Sequence, residues 1–177
     1  MKNMINLLGS QRFYGGIRHN KTSWYWYPSL VEKGSPTRNM ETEITAVCAF
    51  VAVDTDPGKI VVIRNKRGYD LPGGHVEKNE SPLEAVCREV DEEAKAVLDA
   101  PQPFMLLSSD LNKNHKTGVL FYKAFGCLKP FTPTLEIPER KILAPEVFLN
   151  CYYGNKDLLG FLFSNLEFKG YKFRLNR

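Results

Sequence analysis

Glu89, Asp91, Glu92 and Glu93 crowd four acidic groups into five positions of a chain whose formal net charge is +4. On a helix, Glu89, Glu92 and Glu93 are i, i+3 and i+4 neighbours, close enough to share one ion. Either water screens them on an idle amphipathic face, or a cation completes them. An all-carboxylate set without thiolate or imidazole suits Mg²⁺ or Mn²⁺ and disfavours zinc.

Three neighbours favour the cation. Pro72-Gly73-Gly74 supplies a loop whose backbone can approach a ligand closely. Glu80 adds a carboxylate near the same end, and Arg88 can hold a carboxylate through two parallel hydrogen bonds. The helix that positions them has a legible start: Ser81 as cap, Pro82 at the first turn and Glu84 closing a capping box. Leu83, Val86, Cys87, Val90, Ala94 and Val97 form its expected apolar stripe.

Gly74, Glu80, Arg88-Glu89-Val90 and Glu92-Glu93 are in register with G-x(5)-E-x(7)-R-E-U-x-E-E-x-G-U, where U is a bulky aliphatic residue. The segment resembles the Nudix box and matches seven of its nine specified positions. The preceding "DLPG" also looks like the family's approach to the box. The resemblance implies an α/β/α sandwich with a mixed sheet between helices. It also implies a hydrolase of the MutT-like kind, a pyrophosphohydrolase that uses Mg²⁺ or Mn²⁺ and water to cleave a nucleoside diphosphate linked to another moiety. By the same resemblance Glu89, Glu92, Glu93 and the carbonyl of Gly73 are metal ligands, Glu92 and Glu93 are catalytic, and Glu80 is a secondary candidate. Arg88 orients the cluster. Gly74, Lys66 and Arg67 are candidates on the substrate side, the last two equally readable as a plain basic turn. The family draws a further acid from a later loop. Glu139 is the leading choice here, before Glu136 and Asp110.

The chain departs from the pattern at Lys95, where the family has glycine, and Ala96 stands at the aliphatic position. If Lys95 is interior to the helix, Lys95→Gly costs about 1 kcal/mol. The alternatives are a Nudix domain that senses nucleotides without turnover and a Nudix-fold isomerase of prenyl diphosphates. The helix glutamates argue against the first, and the nearly complete box against the second.

The remaining residues supply the frame. "EITAVCAFVAVD" (43–54) is apolar on both alternating faces, with Ile44, Ala46, Cys48, Phe50 and Ala52 on one side and Val47, Ala49, Val51 and Val53 on the other. This is the pattern of a strand covered on both sides. "DTDPGK" turns the chain into "IVVIRN" (60–65), a hairpin partner. "FMLLSSD" (104–110), "TGVLFYKAFGCL" (117–128) and "ERKILA" read as further strands. "APEVFLNCYY" and "NKDLLGFLFSNLEF" have helical spacing, with Leu158, Leu159, Leu162, Phe163 and Leu166 on one side.

Length, 177 residues, suits one domain over 43–177 with an aromatic-rich extension over 1–42 packed on it. In that extension Trp24, Tyr25, Trp26 and Tyr27 read first as packing or a homodimer contact and second as a platform for a base. His75 is a candidate phosphate contact, while His19 and His115 show no partner spacing. Net charge is too mild to signal a nucleic-acid partner. Cys48, Cys87, Cys127 and Cys151 show neither zinc nor disulfide spacing. With no signal-peptide core and no membrane-length apolar run, the expected setting is the cytoplasm.

Overall fold

The computed structural model describes residues 16–19, 22–26, 42–109, 116–168 and 171–172. Among them nine strands form one sheet: β1 (Gly16–His19), β2 (Thr22–Trp26), β3 (Thr42–Val53), β4 (Asp56–Asn65), β5 (Gly68–Asp70), β6 (Gly73–His75), β7 (Ala96–Ser109), β8 (Lys116–Leu128) and β9 (Glu139–Leu143). The path runs β1-β2-β7-β8-β3-β4-β5, with β6 paired to β3 and β9 to β4. β3 and β8 are parallel, whereas the other pairings are antiparallel, so the sheet is mixed. Helix α1 (Pro82–Ala94) covers one face. Helices α2 (Pro145–Cys151) and α3 (Lys156–Ser164) cover the other, and a small β10 (Glu167–Phe168) and β11 (Tyr171–Lys172) pair follows.

The two-faced strand is β3, as its apolar pattern requires. Val47, Ala49, Val51 and Val53 pack with Val86, Val90 and Ala94 of α1. Phe50 and Ala52 pack with Phe148, Leu159, Leu162 and Phe163 of α2 and α3. The Phe50 ring meets Phe163 edge-on at 5.3 Å, a favoured aromatic geometry. Ile44 departs from the expected alternation and lies on the α1 side. The β3–β8 register slips between Ile44 and Ala46, and the extra residue of a bulge reverses the side-chain parity of what precedes it.

Two boundaries and one buried face also differ from the sequence reading. The β3–β4 turn tightens to Asp54–Thr55, so β4 starts at Asp56. β7 begins at Ala96 rather than Phe104, because Pro101 and Pro103 fall where its register with β8 is interrupted. A proline that donates no ladder hydrogen bond is tolerated there. In α1 the buried residues are Ala85, Val86, Val90 and Ala94. Leu83 and Cys87 are exposed, and Val97 is exposed on β7. The buried face is thus turned toward the Ala85, Glu89, Glu93 row, which draws part of the acidic cluster inward.

The aromatic segment contributes β2, whose Trp24, Tyr25 and Trp26 pair with Ser109, Ser108 and Leu107 of β7. Tyr27, Asp110 and His115 lie outside the described residues. All four cysteines are free. Among the described residues no helix is long and apolar enough to cross a membrane.

Candidate active site

The capping box forms as the sequence dictates. The Glu84 N–H donates to Ser81 Oγ at 3.2 Å, and the Ser81 N–H donates to Glu84 Oε2 at 2.8 Å. With its start fixed, α1 lies against β6, which is held in the sheet by pairing Gly73 with Cys48 and Gly74 with Val47. Gly73 is a spatial requirement: a Cβ there would stand 2.2 Å from the Val47 carbonyl oxygen and 2.7 Å from Cys48 Cα, both fixed backbone atoms. A Cβ at Gly74 would stand 2.2 Å from Glu89 Oε1, so the absence of a side chain there lets the Glu89 carboxylate rest directly on backbone, and a larger residue would push that carboxylate aside.

Glu93, like Glu89, is half-buried. Its Oε2 accepts from the Gly73 N–H at 2.9 Å. Burial pushes its carboxyl up to about 7; the Gly73 hydrogen bond opposes this, and the nearby carboxylates of Glu89, Asp70 and Glu136 add to it. Desolvation and like charge both disfavour the ionised form. Glu93 is therefore the member of the cluster that resists ionisation without a cation.

Arg88 gathers the others. Its Nε and Nη2 donate to the two oxygens of Glu80 at 2.9 and 3.0 Å. Its Nη1 donates to Glu89 at 2.9 Å and to Glu92 at 3.3 Å, while Nη2 also reaches the His75 carbonyl at 3.1 Å. This pairing holds the Glu80 carboxyl below its usual range and keeps Arg88 protonated. Glu92 is the exposed member, and the His75 side chain is also exposed.

In this arrangement no three acidic, histidine or cysteine side chains among the described residues converge on one point. Glu89 and Glu92 are turned onto Arg88 instead. The donor chemistry nevertheless fits a hard divalent cation: an all-oxygen set in which one half-buried carboxyl lacks the positive charge that would ionise it.

A cleft of about 470 Å³ adjoins Glu93. Lys66 and Arg67, in the β4–β5 turn, form one wall, and Leu135, Glu136 and Ile137, in the β8–β9 loop, form another. The structure therefore brings together Glu93, Lys66, Arg67 and Glu136. It places Glu139 elsewhere. Consecutive strand residues point to opposite faces, and Arg140 reaches the end of α1. Glu139 consequently projects from the α2/α3 side, where it accepts from Tyr69 OH at 2.5 Å and pairs with Lys141 at 2.8 Å. Those two partners hold its carboxyl below the usual range.

Sequence reasoning missed Asp70, Tyr153 and Arg140. The half-buried Asp70 accepts from the Leu71 N–H at 2.8 Å and Tyr153 OH at 3.0 Å, and burial raises its carboxyl. Arg67 lies 4.8 Å above the Tyr153 ring, so an aromatic face holds one of the cleft's two cations. The "DLPG" approach to the box was the available signal for Asp70. The contacts of Tyr153 and Arg140 span dozens of residues and leave no local mark.

Lys95 is not interior. It terminates α1 with φ 48° and ψ 52°, and its N–H donates to the Val90 carbonyl. This left-handed conformation is why glycine belongs at that motif position: an L side chain costs about 1–2 kcal/mol there. The expected sign of Lys95→Gly is therefore reversed. The variant should unfold at higher denaturant concentration, by about 0.5–1 kcal/mol once the added freedom of the unfolded glycine is counted. Turnover should not change. A chemical denaturation curve showing a loss of stability would exclude backbone strain at Lys95.

The model of the NUDIX domain family matches residues 42–123. Among solved structures, the Bacillus subtilis pyrophosphohydrolase BsRppH is similar, with TM-score 0.59 and 19% identity over 74% of this chain and 78% of that one. A MutT protein from Methanosarcina mazei Go1 gives TM-score 0.51 and 20% identity over 70% and 95% of the two chains. A UDP-X diphosphatase gives TM-score 0.51 and 21% identity over 77% and 68%. A comparison with curated proteins gave no match.

Proposed function

We propose, for a chain that belongs to the Nudix family through its domain at residues 42–123, metal-dependent hydrolysis of a diphosphate bond in a nucleotide or nucleotide derivative. The observation that carries this reading is Glu93: a carboxyl pushed up to about 7, bonded to the Gly73 N–H, on a cleft that Lys66 and Arg67 also line. A half-buried acid that no cation neutralises, in a cleft also lined by a lysine and an arginine, is a poor structural ornament and a good site for an anion accompanied by a cation.

Glu89, Glu92, Glu93 and the Gly73 carbonyl would hold Mg²⁺ or Mn²⁺, which supplies phosphate neutralisation and a more acidic water. Lys66 and Arg67 bind phosphate oxygens in the same cleft. Arg88 stores the charges of Glu80, Glu89 and Glu92 in defined positions, and Glu89 and Glu92 must turn from it to reach a shared ligand. Glu136 takes the place of Glu139 as the acceptor for the proton of the attacking water, because it lines the cleft and Glu139 faces away. Gly74 serves by admitting the Glu89 carboxylate. The names of the similar structures, a pyrophosphohydrolase and a UDP-X diphosphatase, favour a nucleotide as the organic part of the substrate. The proposed setting is the cytoplasm.

The deciding experiment measures product release from nucleoside triphosphates, nucleotide sugars and dinucleotides with Mg²⁺ and with Mn²⁺. Cleavage of at least one class, abolished by chelation, is the expected result. Because Arg88 already neutralises part of the cluster, binding without turnover is the second reading. Nucleotide affinity with no product from any class would establish it in place of hydrolysis.

A further inference from the structure

We infer that Arg140 is a positioning residue that clamps the two carboxylate-bearing walls of the cleft to each other. The inference rests on the hydrolase reading above and adds a residue that the Nudix-box pattern does not contain.

Arg140 lies on β9, with its side chain on the α1 side of the sheet. One nitrogen, Nη1, donates to the Ala94 carbonyl at 2.8 Å, to the Lys95 carbonyl at 3.2 Å and to the Lys129 carbonyl at 3.0 Å. The first two are end groups of α1, one and two residues beyond Glu93. The third begins the loop that carries Glu136. The Lys129 N–H donates back to the Lys95 carbonyl at 2.8 Å, which closes the junction. The Arg140 guanidinium also lies 5.1 Å above the Phe131 ring of the same loop. Farther along that loop, the Thr134 N–H donates to the Ile137 carbonyl at 3.0 Å, and the Ile137 N–H donates to Thr134 Oγ1 at 2.9 Å. Those bonds form the turn that holds Glu136 beside the cleft.

Arg140 thus bonds the end of α1 directly after Glu93, and through Lys129 and Phe131 it holds the start of the loop that leads to Glu136. A cation at a helix C-terminus satisfies carbonyls that have no partner within the helix. Here the same cation also takes a carbonyl from the facing loop, so it sets a separation as well as ending a helix. Its placement bears on the departure at Lys95. The left-handed residue is where α1 is under backbone strain, and Arg140 bonds the carbonyls of that residue and the one before it. A lysine in place of Arg140 keeps the charge but lacks the planar group that lies on Phe131 while reaching both walls.

The test compares the full-length wild type with Arg140→Lys, Lys95→Gly and the double variant. Readouts are Mn²⁺ affinity by titration calorimetry, and kcat and KM on whichever nucleotide the wild type cleaves, all taken well below each melting temperature. Arg140→Lys should weaken Mn²⁺ binding by about tenfold and lower kcat by a similar factor with KM unchanged, because a displaced Glu93–Glu136 pair costs geometry and not substrate contacts. Adding Lys95→Gly should restore part of the Mn²⁺ affinity, since the unstrained helix end no longer needs the clamp to hold it. An Arg140→Lys protein that melts lower yet keeps wild-type Mn²⁺ affinity and kcat reduces Arg140 to a helix cap and overturns the inference. If Arg140→Lys is too unstable to assay, the variant Phe131→Leu, which removes only the loop side of the clamp, carries the same expectation and the same refutation. A wild type that binds no Mn²⁺ and cleaves nothing defeats the hydrolase reading and this inference together. A wild type that does both, alongside an unchanged variant, defeats only this one.

Discussion

Glu93→Gln should lower turnover by on the order of 10² or more and, without metal, raise the stability of the protein above pH 7. The two effects have one cause. The folded-state carboxyl of Glu93 is pushed up to about 7, chiefly by burial, from the 4.5 of an ordinary glutamate. Below pH 4.5 the group is protonated in both folded and unfolded chains and contributes no difference. As pH rises from 4.5 to 7 the unfolded chain gives up its proton first, so the folded state binds more protons and loses stability with each step. Above pH 7 the folded protein carries a half-buried charge at a cost of roughly 1–3 kcal/mol, allowing for partial exposure. Gln keeps an oxygen to accept the Gly73 N–H bond and removes the charge. The variant should therefore melt several degrees above the metal-free wild type at pH 8 and together with it near pH 4.5. Thermal melts at the two pH values, beside a turnover assay on the same samples, check both halves. Wild-type turnover in the folded variant would remove Glu93 from the site, and a melting difference independent of pH would remove the buried charge.

The legibility of this molecule follows the range of the forces involved. Local chemistry could be read directly: the Ser81–Glu84 capping box, the start of α1 at Pro82 and the doubly covered β3 all depend on residues within a few positions of one another. The Arg88-Glu89 and Glu92-Glu93 spacing also gave the family resemblance, because a helix converts sequence offsets into shared faces. Periodicity misled where a second element chose the face. The amphipathic count assigned Leu83, Cys87 and Val97 to the core, but β6, bare of side chains at Gly73 and Gly74, let α1 turn Glu89 and Glu93 inward. A bulge at one residue moved Ile44 across the sheet, and no composition signal marks a bulge of that kind. Glu139 was chosen for its place before a strand, yet strand parity sends it to the far face and leaves Glu136 on the cleft. The condition that would have made Lys95→Gly costly, an interior position, is not met, because α1 ends at Ala94 although the apolar stripe ran on to Val97. The residues that could not be found, Arg140 and Tyr153, owe their positions to contacts across the sheet.

Millimolar Mg²⁺ or Mn²⁺ should raise the melting temperature of the wild type, and the rise should be larger at pH 8 than at pH 5.5. A ligand that binds only the folded state at a hundredfold excess over its dissociation constant stabilises it by about 2.7 kcal/mol, or about 5–10 °C for a domain of this size. The pH dependence comes from Glu93. At pH 5.5 its carboxyl, pushed up to about 7, is mostly protonated, so a divalent cation must displace that proton before it gains the ligand. At pH 8 the charge is already present and uncompensated, and the cation both gains a ligand and relieves the repulsion from Glu89, Asp70 and Glu136. Proton uptake by the buffer on mixing at pH 6.5 should report the same displacement in calorimetry. The control is the triple variant Glu89→Gln, Glu92→Gln, Glu93→Gln, which should melt at one temperature with or without metal. Arg88 separates the contributions further: three of its present partners, Glu80, Glu89 and Glu92, are carboxylates, and two of them must leave it for the cation. Arg88→Lys, which cannot fork between them, should bind metal with altered affinity but keep the pH dependence, because that belongs to Glu93. If the wild type ignores both cations at pH 8, with and without nucleotide, the glutamates of α1 form an Arg88-neutralised surface. The binding-only reading of the domain then replaces the hydrolytic one.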